Sequence, residues 1–282
     1  MKLYGVTTTY NNEKIVPYVM KYISELEYDR FIVLDNGSTD RTVELLREYP
    51  FVEVREWHTD MFDDIERLNI ISNTLSELIT PPLNDIAWGT IGDFDEVFYY
   101  AQQDKDRFKD ALVRITNAGF NVCTEHFVNL ISDGRSLKKD EFLHLQVEKC
   151  AYSAPFEWCK PVLFRLDNLV SLVHTIGHHY ANFEFYNEPV KQLYNTKYLH
   201  AFHLKFAFGK EHLLNMIREY NRRKSYCGDV VVNEYQPIEY ASRYFDRTYE
   251  NGISTNAYLE HKMLFGDDSW EHNDNLVHKE IF

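Results

Sequence analysis

The chain has 282 residues, 44% hydrophobic and 26% charged, a balance that suits one large globular domain, with or without an appendage, and gives no sign of a fibrous or disordered protein. Its 30 basic against 44 acidic side chains leave a net charge of −14, which argues against a nucleic-acid duplex or an anionic membrane surface as main partner, since both ask for a basic footprint. A soluble protein with a small-molecule substrate is the class that remains, and the 20 Tyr and 19 Phe suit a cleft that stacks bases or sugar rings, although core packing explains most of them.

Lys2 to Thr8 reads as a strand. It begins almost at once, with no long apolar stretch before it, so neither signal peptide nor membrane anchor is expected and the expected location is the cytoplasm. From Glu13 to Leu26 the apolar residues Ile15, Val16, Val19, Met20, Ile23 and Leu26 fall on one helical face, and Phe31 to Leu34 is the continuous apolar run of a strand buried on both sides. Turn and cap residues at 35–40 lead into a helix carrying Val43, Leu46 and Tyr49 that ends before Pro50. Val52 to Trp57 is the third strand, Asp64 to Leu78 the third helix, stopped by Pro81 and Pro82, and Ile86 to Ile91 the fourth strand. Such alternation predicts an α/β fold: a mostly parallel sheet with helices on both faces. Arg107 to Ala118 reads as a helix and Asn121 to Ile131 as a strand. Residues 132–154 read as an irregular or antiparallel excursion, and Lys210 to Lys224 as an amphipathic helix. The domain division expected is 1–224, with a nucleotide-binding half at 1–100 and an acceptor-side half at 101–224, followed by a helical or irregular extension at 225–282. Cys123, Cys150, Cys159 and Cys227 include no C-x-x-C pair, which speaks against a zinc knuckle or redox motif; they are expected reduced and mostly buried.

Ligands of parallel sheets bind beyond the carboxyl ends of the strands. Here those ends are polar: Thr7-Thr8-Thr9-Tyr10-Asn11, Asp35-Asn36-Gly37-Ser38 and Gly92-Asp93-Phe94-Asp95-Glu96. All three are expected to converge on one crevice. If the fourth strand continues through them, Asp93 and Asp95 share a face, and two hard oxygen ligands so placed can hold a divalent cation beside a pyrophosphate. A pair of solvated acids in a turn is the alternative.

Asp35-Asn36-Gly37-Ser38-Thr39-Asp40 and Asp93-Phe94-Asp95-Glu96 resemble the two signature motifs of family 2 type glycosyltransferases with the GT-A fold. The resemblance covers residues 1–100 well and continues more weakly to about 224. It implies that Thr7, Thr8 and Tyr10 line the nucleoside pocket, that Asp35, beside Gly37, hydrogen-bonds base or ribose, and that Asp93 and Asp95 face ribose and metal, with Phe94 between them in the donor site and Asp95 the metal ligand. Glu13 matches the Asn-Glu pattern opening the family's first helix, where complementing the helix dipole is the alternative. Arg67 and Asn69 resemble an Arg-Asn pair that reaches toward the donor; an ion pair with Asp63 or Asp64 is the alternative for the arginine.

Trp158 to Arg165 resembles the Lys-x-Ile-Val-Arg type segment of bacterial members, and Leu199 to Lys205 their late histidine segment. His203 is therefore the second metal candidate, with His200 and His178 behind it. A zinc site built on His174, His178, His179, His200 and His203 is disfavoured, because no tight ligand spacing such as H-E-x-x-H occurs.

The expected activity is transfer of a sugar from a nucleoside-diphosphate sugar, a UDP-sugar ahead of a GDP- or dTDP-sugar, to a hydroxyl of a glycan, lipid-linked glycan or polysaccharide. Family resemblance implies dependence on Mn2+ or Mg2+ and inversion at the anomeric carbon. Inversion needs a general base, for which Glu157 and then Asp133 are the candidates. The alternatives are a sugar-phosphate nucleotidyltransferase, although the first loop carries Asn11, Asn12 and Glu13 in place of a glycine-rich basic stretch, and a non-catalytic sugar- or nucleotide-binding module. A nicotinamide oxidoreductase is excluded, since Thr7-Thr8-Thr9-Tyr10 lacks the required glycines.

Overall fold

A computed structural model describes residues 1–59, 62–78, 85–101, 107–133, 137–152, 159–174, 181–222, 225–227, 230–232 and 237–267. The first half alternates as the periodicities predict: β1 (Lys2–Thr9), α1 (Val16–Glu25), β2 (Arg30–Asp35), α2 (Thr42–Leu46), β3 (Val52–Glu56), a short β4 (Phe62–Asp63), α3 (Asp64–Leu78) and β5 (Ala87–Asp93). The rest is β6 (Glu96–Tyr100), α4 (Phe108–Asn117), β7 (Val122–Ile131), α5 (Leu143–Gln146), β8 (Lys149–Tyr152), β9 (Cys159–Arg165), β10 (Leu169–His174), β11 (Ala181–Phe185), β12 (Gln192–Tyr194) and β13 (Leu199–His203). The chain continues with α6 (Lys210–Arg222), β14 (Ser225–Cys227), β15 (Val230–Val232), α7 (Ile238–Asn251), β16 (Ile253–Ser254) and α8 (Thr255–Phe265).

One large sheet runs β16-β8-β7-β9-β5-β1-β2-β3. Its β5-β1-β2-β3 portion is parallel throughout. Alternate residues of β2 serve its two faces: Phe31 and Val33 join the core with Val16, Val19, Met20 and Ile23 of α1, whereas Ile32 and Leu34 join the core with Ile71, Leu75 and Leu78 of α3. Helices on both sides explain why β2 reads as an unbroken apolar run. The Pro17 ring is tolerated because it falls in the first turn of α1, where its missing N–H has no intrahelical partner anyway.

The second half is built on β7, which pairs with β9 and β12 along its first residues and with β8 and β13 along its last. Strand β9 returns antiparallel between β5 and β7, and β13 lies between β6 and β7. This is the α/β arrangement expected of a GT-A-like fold, with a mostly parallel sheet and antiparallel additions. The hairpin β10-β11 and the trio β15-β14-β4 form two smaller sheets. Beyond residue 236, α7 packs with α6 around Phe206, Leu213, Ile217 and Phe245, and α8 is pinned where Lys262 Nζ meets the buried Glu125 carboxylate at 2.6 Å. Cys123 and Cys150 are free thiols in the core.

Candidate active site

The carboxyl ends of β1, β2 and β5 open on one edge of the sheet, as expected. Thr9 pairs with Asp35 and Thr8 with Asp93, so the three polar ends are adjacent. The loops after β1 and β2 are tied together residue by residue. Asn11 N–H donates to Ser38 Oγ at 2.9 Å, Thr39 N–H to Asn11 Oδ1 at 2.8 Å, and Asn12 N–H to Thr42 Oγ1 at 2.7 Å. Glu13 contributes from both ends: its N–H donates to Asp40 Oδ2 and its carboxylate accepts Arg41 N–H, each at 3.1 Å. That side chain thus satisfies a backbone donor at the start of α2, and the chain enters α1 three residues later than its apolar periodicity predicts.

Asp35 is buried, and its two carboxylate oxygens accept from Ser38 N–H at 3.0 Å and Ser38 Oγ at 2.5 Å. Those bonds fix its orientation while each oxygen keeps a further lone pair. Gly37 takes the left-handed region at φ +74°, and a Cβ there would stand 2.2 Å from His58 Nδ1. Only glycine makes this turn without displacing the imidazole. Thr7 is buried with its hydroxyl on Gly92 O at 2.9 Å, Thr8 and Tyr10 are half-buried, and Asn69 is exposed on α3.

Strand β5 stops at Asp93, and Phe94 and Asp95 form a turn into β6, so the two carboxylates are not set by alternation along one strand. They take different partners instead. Asp93 pairs with the buried guanidinium of Arg67 on α3. Asp95 Oδ2 lies 3.2 Å from His203 Nε2 at the end of β13. Burial acts to raise the Asp95 pKa, but the charge and hydrogen bond of His203 outweigh it and hold the carboxyl below the ordinary aspartate value. Phe94 is only 4% exposed and belongs to the core that holds Val97 and Phe98, where an aromatic ring gains more than at a wet rim.

Next to these acids, Glu96 forms an ion pair with Lys160 of β9. Its other oxygen accepts Asp93 N–H at 3.3 Å. Burial works against the Lys160 ammonium, yet Glu96, then Asp93 and Asp95, leave its pKa above the usual lysine value. Lys160 also sits 5.5 Å over the Phe127 ring. His203 is paired in register with Glu96 on β6 and with Asn129 on β7, so these three side chains form a row on one face. In the row before it, Phe98 and Phe127 flank Ala201 and meet at 5.9 Å between ring centroids, which identifies the face. Asn129 is 1% exposed, and its Oδ1 has no hydrogen-bond partner.

A cleft of about 190 Å3 opens between the first loop and α6, with Tyr10, Glu13, Lys14, Asp40, His212 and Met216 among its walls. His212 packs edge-on to Phe208, its Nε2 is buried without a partner, and burial, then the charge of Lys14, push its pKa to about 4.

Of the two candidate bases, Asp133 is exposed just beyond β7. Glu157 lies outside the described residues, as do Trp158, His178 and His179. His200 is fully buried among Tyr99, Phe202 and Tyr258, away from solvent. Among the described residues no three His, Cys, Asp or Glu converge as a metal cage, and no helix is long and apolar enough to cross a membrane. Glu96 and Lys160 fall inside motifs the sequence displays but without a role read for them, and Asn129 and His212 fall in none. Asn129 carried a signal, as a polar residue inside the apolar run Phe127 to Ile131.

No protein-family model matches the chain, and no curated protein matches it. Among solved structures, TarS of S. aureus aligns at 15% identity and a TM-score of 0.44 over 91% of this chain, which spans only 45% of the TarS chain. Its 1–349 fragment aligns at 14% identity and 0.42, over 89% of this chain and 74% of that one. A 4-diphosphocytidyl-2C-methyl-D-erythritol synthase aligns at 11% and 0.32, over 59% and 76%. Likenesses this distant leave the function to be read from the chain's own residues.

Proposed function

We propose that the chain is a glycosyltransferase that takes a sugar from a nucleoside-diphosphate sugar, a UDP-sugar ahead of a GDP- or dTDP-sugar, and passes it to a glycan-type hydroxyl with inversion. The observation that carries this reading is the meeting of Asp95 with His203, at 3.2 Å, on the same sheet edge as Asp35 and Asp93. Two residues far apart in sequence supply a carboxylate oxygen and an imidazole nitrogen to one point, a donor pair that fits a Mn2+ or Mg2+ ion held with diphosphate oxygens. Such an ion, when bound, neutralises charge developing on the departing diphosphate.

The chain's own residues have separable tasks. Asp35, oriented by Ser38, offers its remaining lone pairs to base or ribose. Arg67 holds Asp93 and offsets its charge, so that an anionic donor meets less repulsion. Lys160 does the same through Glu96. Removal of the acceptor proton falls to Glu157 ahead of Asp133.

The test is to incubate the protein with manganese, a panel of nucleotide sugars and simple glycan acceptors, following released nucleoside diphosphate by chromatography and the product's anomeric configuration by NMR. Release from one donor by the parent but not by Asp95→Asn supports the proposal. Pyrophosphate made from a nucleoside triphosphate and a sugar phosphate replaces it with the nucleotidyltransferase reading. Binding without turnover leaves the non-catalytic one.

A further inference from the structure

We propose that Asn129 is the third protein ligand of the cation site that Asp95 and His203 begin, its Oδ1 turned toward the ion. The inference rests on the reading of Asp95 and His203 as cation ligands.

Three observations lead to it. Asn129 is the register partner of His203 on the adjacent strand, and paired residues present their side chains on the same face, so the amide stands beside the imidazole that contacts Asp95. The amide is almost wholly buried, yet Oδ1 accepts no hydrogen bond. Buried polar atoms in folded proteins are nearly always satisfied, and an exception points to an ion or water that belongs there. Finally, among the described residues no third His, Cys, Asp or Glu joins the pair, so a further protein donor drawn from them is a neutral one.

A neutral donor is also the chemically suitable one. An amide oxygen is a hard ligand for Mn2+ or Mg2+ and adds no negative charge against the phosphates that share the ion. A second carboxylate in its place would repel them.

Manganese binding is measured on the parent, Asn129→Leu and Asn129→Asp by loss of the free-ion EPR signal, with and without UDP, beside melting of the metal-free proteins. The expected result is that Asn129→Leu melts no lower than the parent without metal, having lost an unsatisfied oxygen, but binds Mn2+ at least tenfold more weakly. Asn129→Asp, which keeps an oxygen and gains a charge, is expected to bind at least as tightly as the parent without UDP. Should the Leu variant fail to fold, Asn129→Ser takes its place with the same expected loss. If the parent binds Mn2+ and the truncated variant matches it within twofold, Asn129 is no ligand while the reading of Asp95 and His203 stands. If the parent binds none, both fall.

Discussion

Replacing Lys160 by Met isolates the ion pair that flanks the acidic strand end. Lys160 and Glu96 are both largely buried, with side chains 12% and 4% exposed. At an effective dielectric of about 20, unit charges about 4 Å apart attract by roughly 4 kcal/mol. Removing one partner of a buried pair leaves the other desolvated, at a cost of about 3–5 kcal/mol. Lys160 also offsets the charges of Asp93 and Asp95, so its removal leaves more than Glu96 uncompensated. Lys160→Met is therefore expected to lose about 3–5 kcal/mol in urea unfolding at pH 7, a large share of the roughly 5–15 kcal/mol typical of a folded domain. Lys160→Met combined with Glu96→Gln removes both charges, keeps an acceptor for Asp93 N–H, and should return to within about 1 kcal/mol of the parent. A loss below about 1 kcal/mol for Lys160→Met alone would refute the reasoning, since the pair would then be behaving as a solvated surface bridge.

Acid should unfold the protein through its buried histidines. His144, 3.0 Å from Tyr22 Oη, is held by burial at a pKa of about 4 against 6.5 unfolded, so the unfolded chain binds the proton first. The stability His144 contributes is complete above pH 6.5 and lost as pH falls toward 4, with a slope of up to about 1.4 kcal/mol per pH unit. His144→Phe should flatten that slope by up to one proton in denaturant titrations between pH 7 and 4.5, and an unchanged slope would assign the titration elsewhere. Gly37→Ala should cost about 1–3 kcal/mol, since it combines a left-handed backbone with a collision against His58. The same variant should weaken nucleoside diphosphate binding by misplacing the loop after β2; parental stability and affinity would mean that the turn relaxes freely.

The parallel half of the fold was legible because its signal is local. In β1, α1, β2, α3 and β5 the periodicity of each segment reports the face it buries, and the polar strand ends mark the crevice. Beyond it, the long β7 was still legible as Asn121 to Ile131, but the short strands β6 and β13 are legible only through their partners. Glu96 to Tyr100 and Leu199 to His203 are short, and what makes them strands is their pairing with each other and with β7. The same limit applied to the site. Asp95 and His203 were visible as residue types in suggestive places, whereas Glu96 and Lys160 matter because a long-range register brings them together. Phe94 sits inside the expected motif, and in the turn its ring is buried in the core. Glu13 reads as the acid of the family's Asn-Glu pattern, with the helix dipole as the alternative, and its carboxylate bonds Arg41 N–H across the two loops.

Isothermal titration of UDP into the parent with manganese, the parent with chelator, and Asp95→Asn with manganese asks most directly whether Asp95 and His203 hold a cation that bridges to the donor. The expected result is at least tenfold tighter binding in the first case than in the other two, with Asp95→Asn melting near the parent because its cost falls on the site and not on the core. Equal affinity in all three would contradict a metal-bridged donor at Asp95.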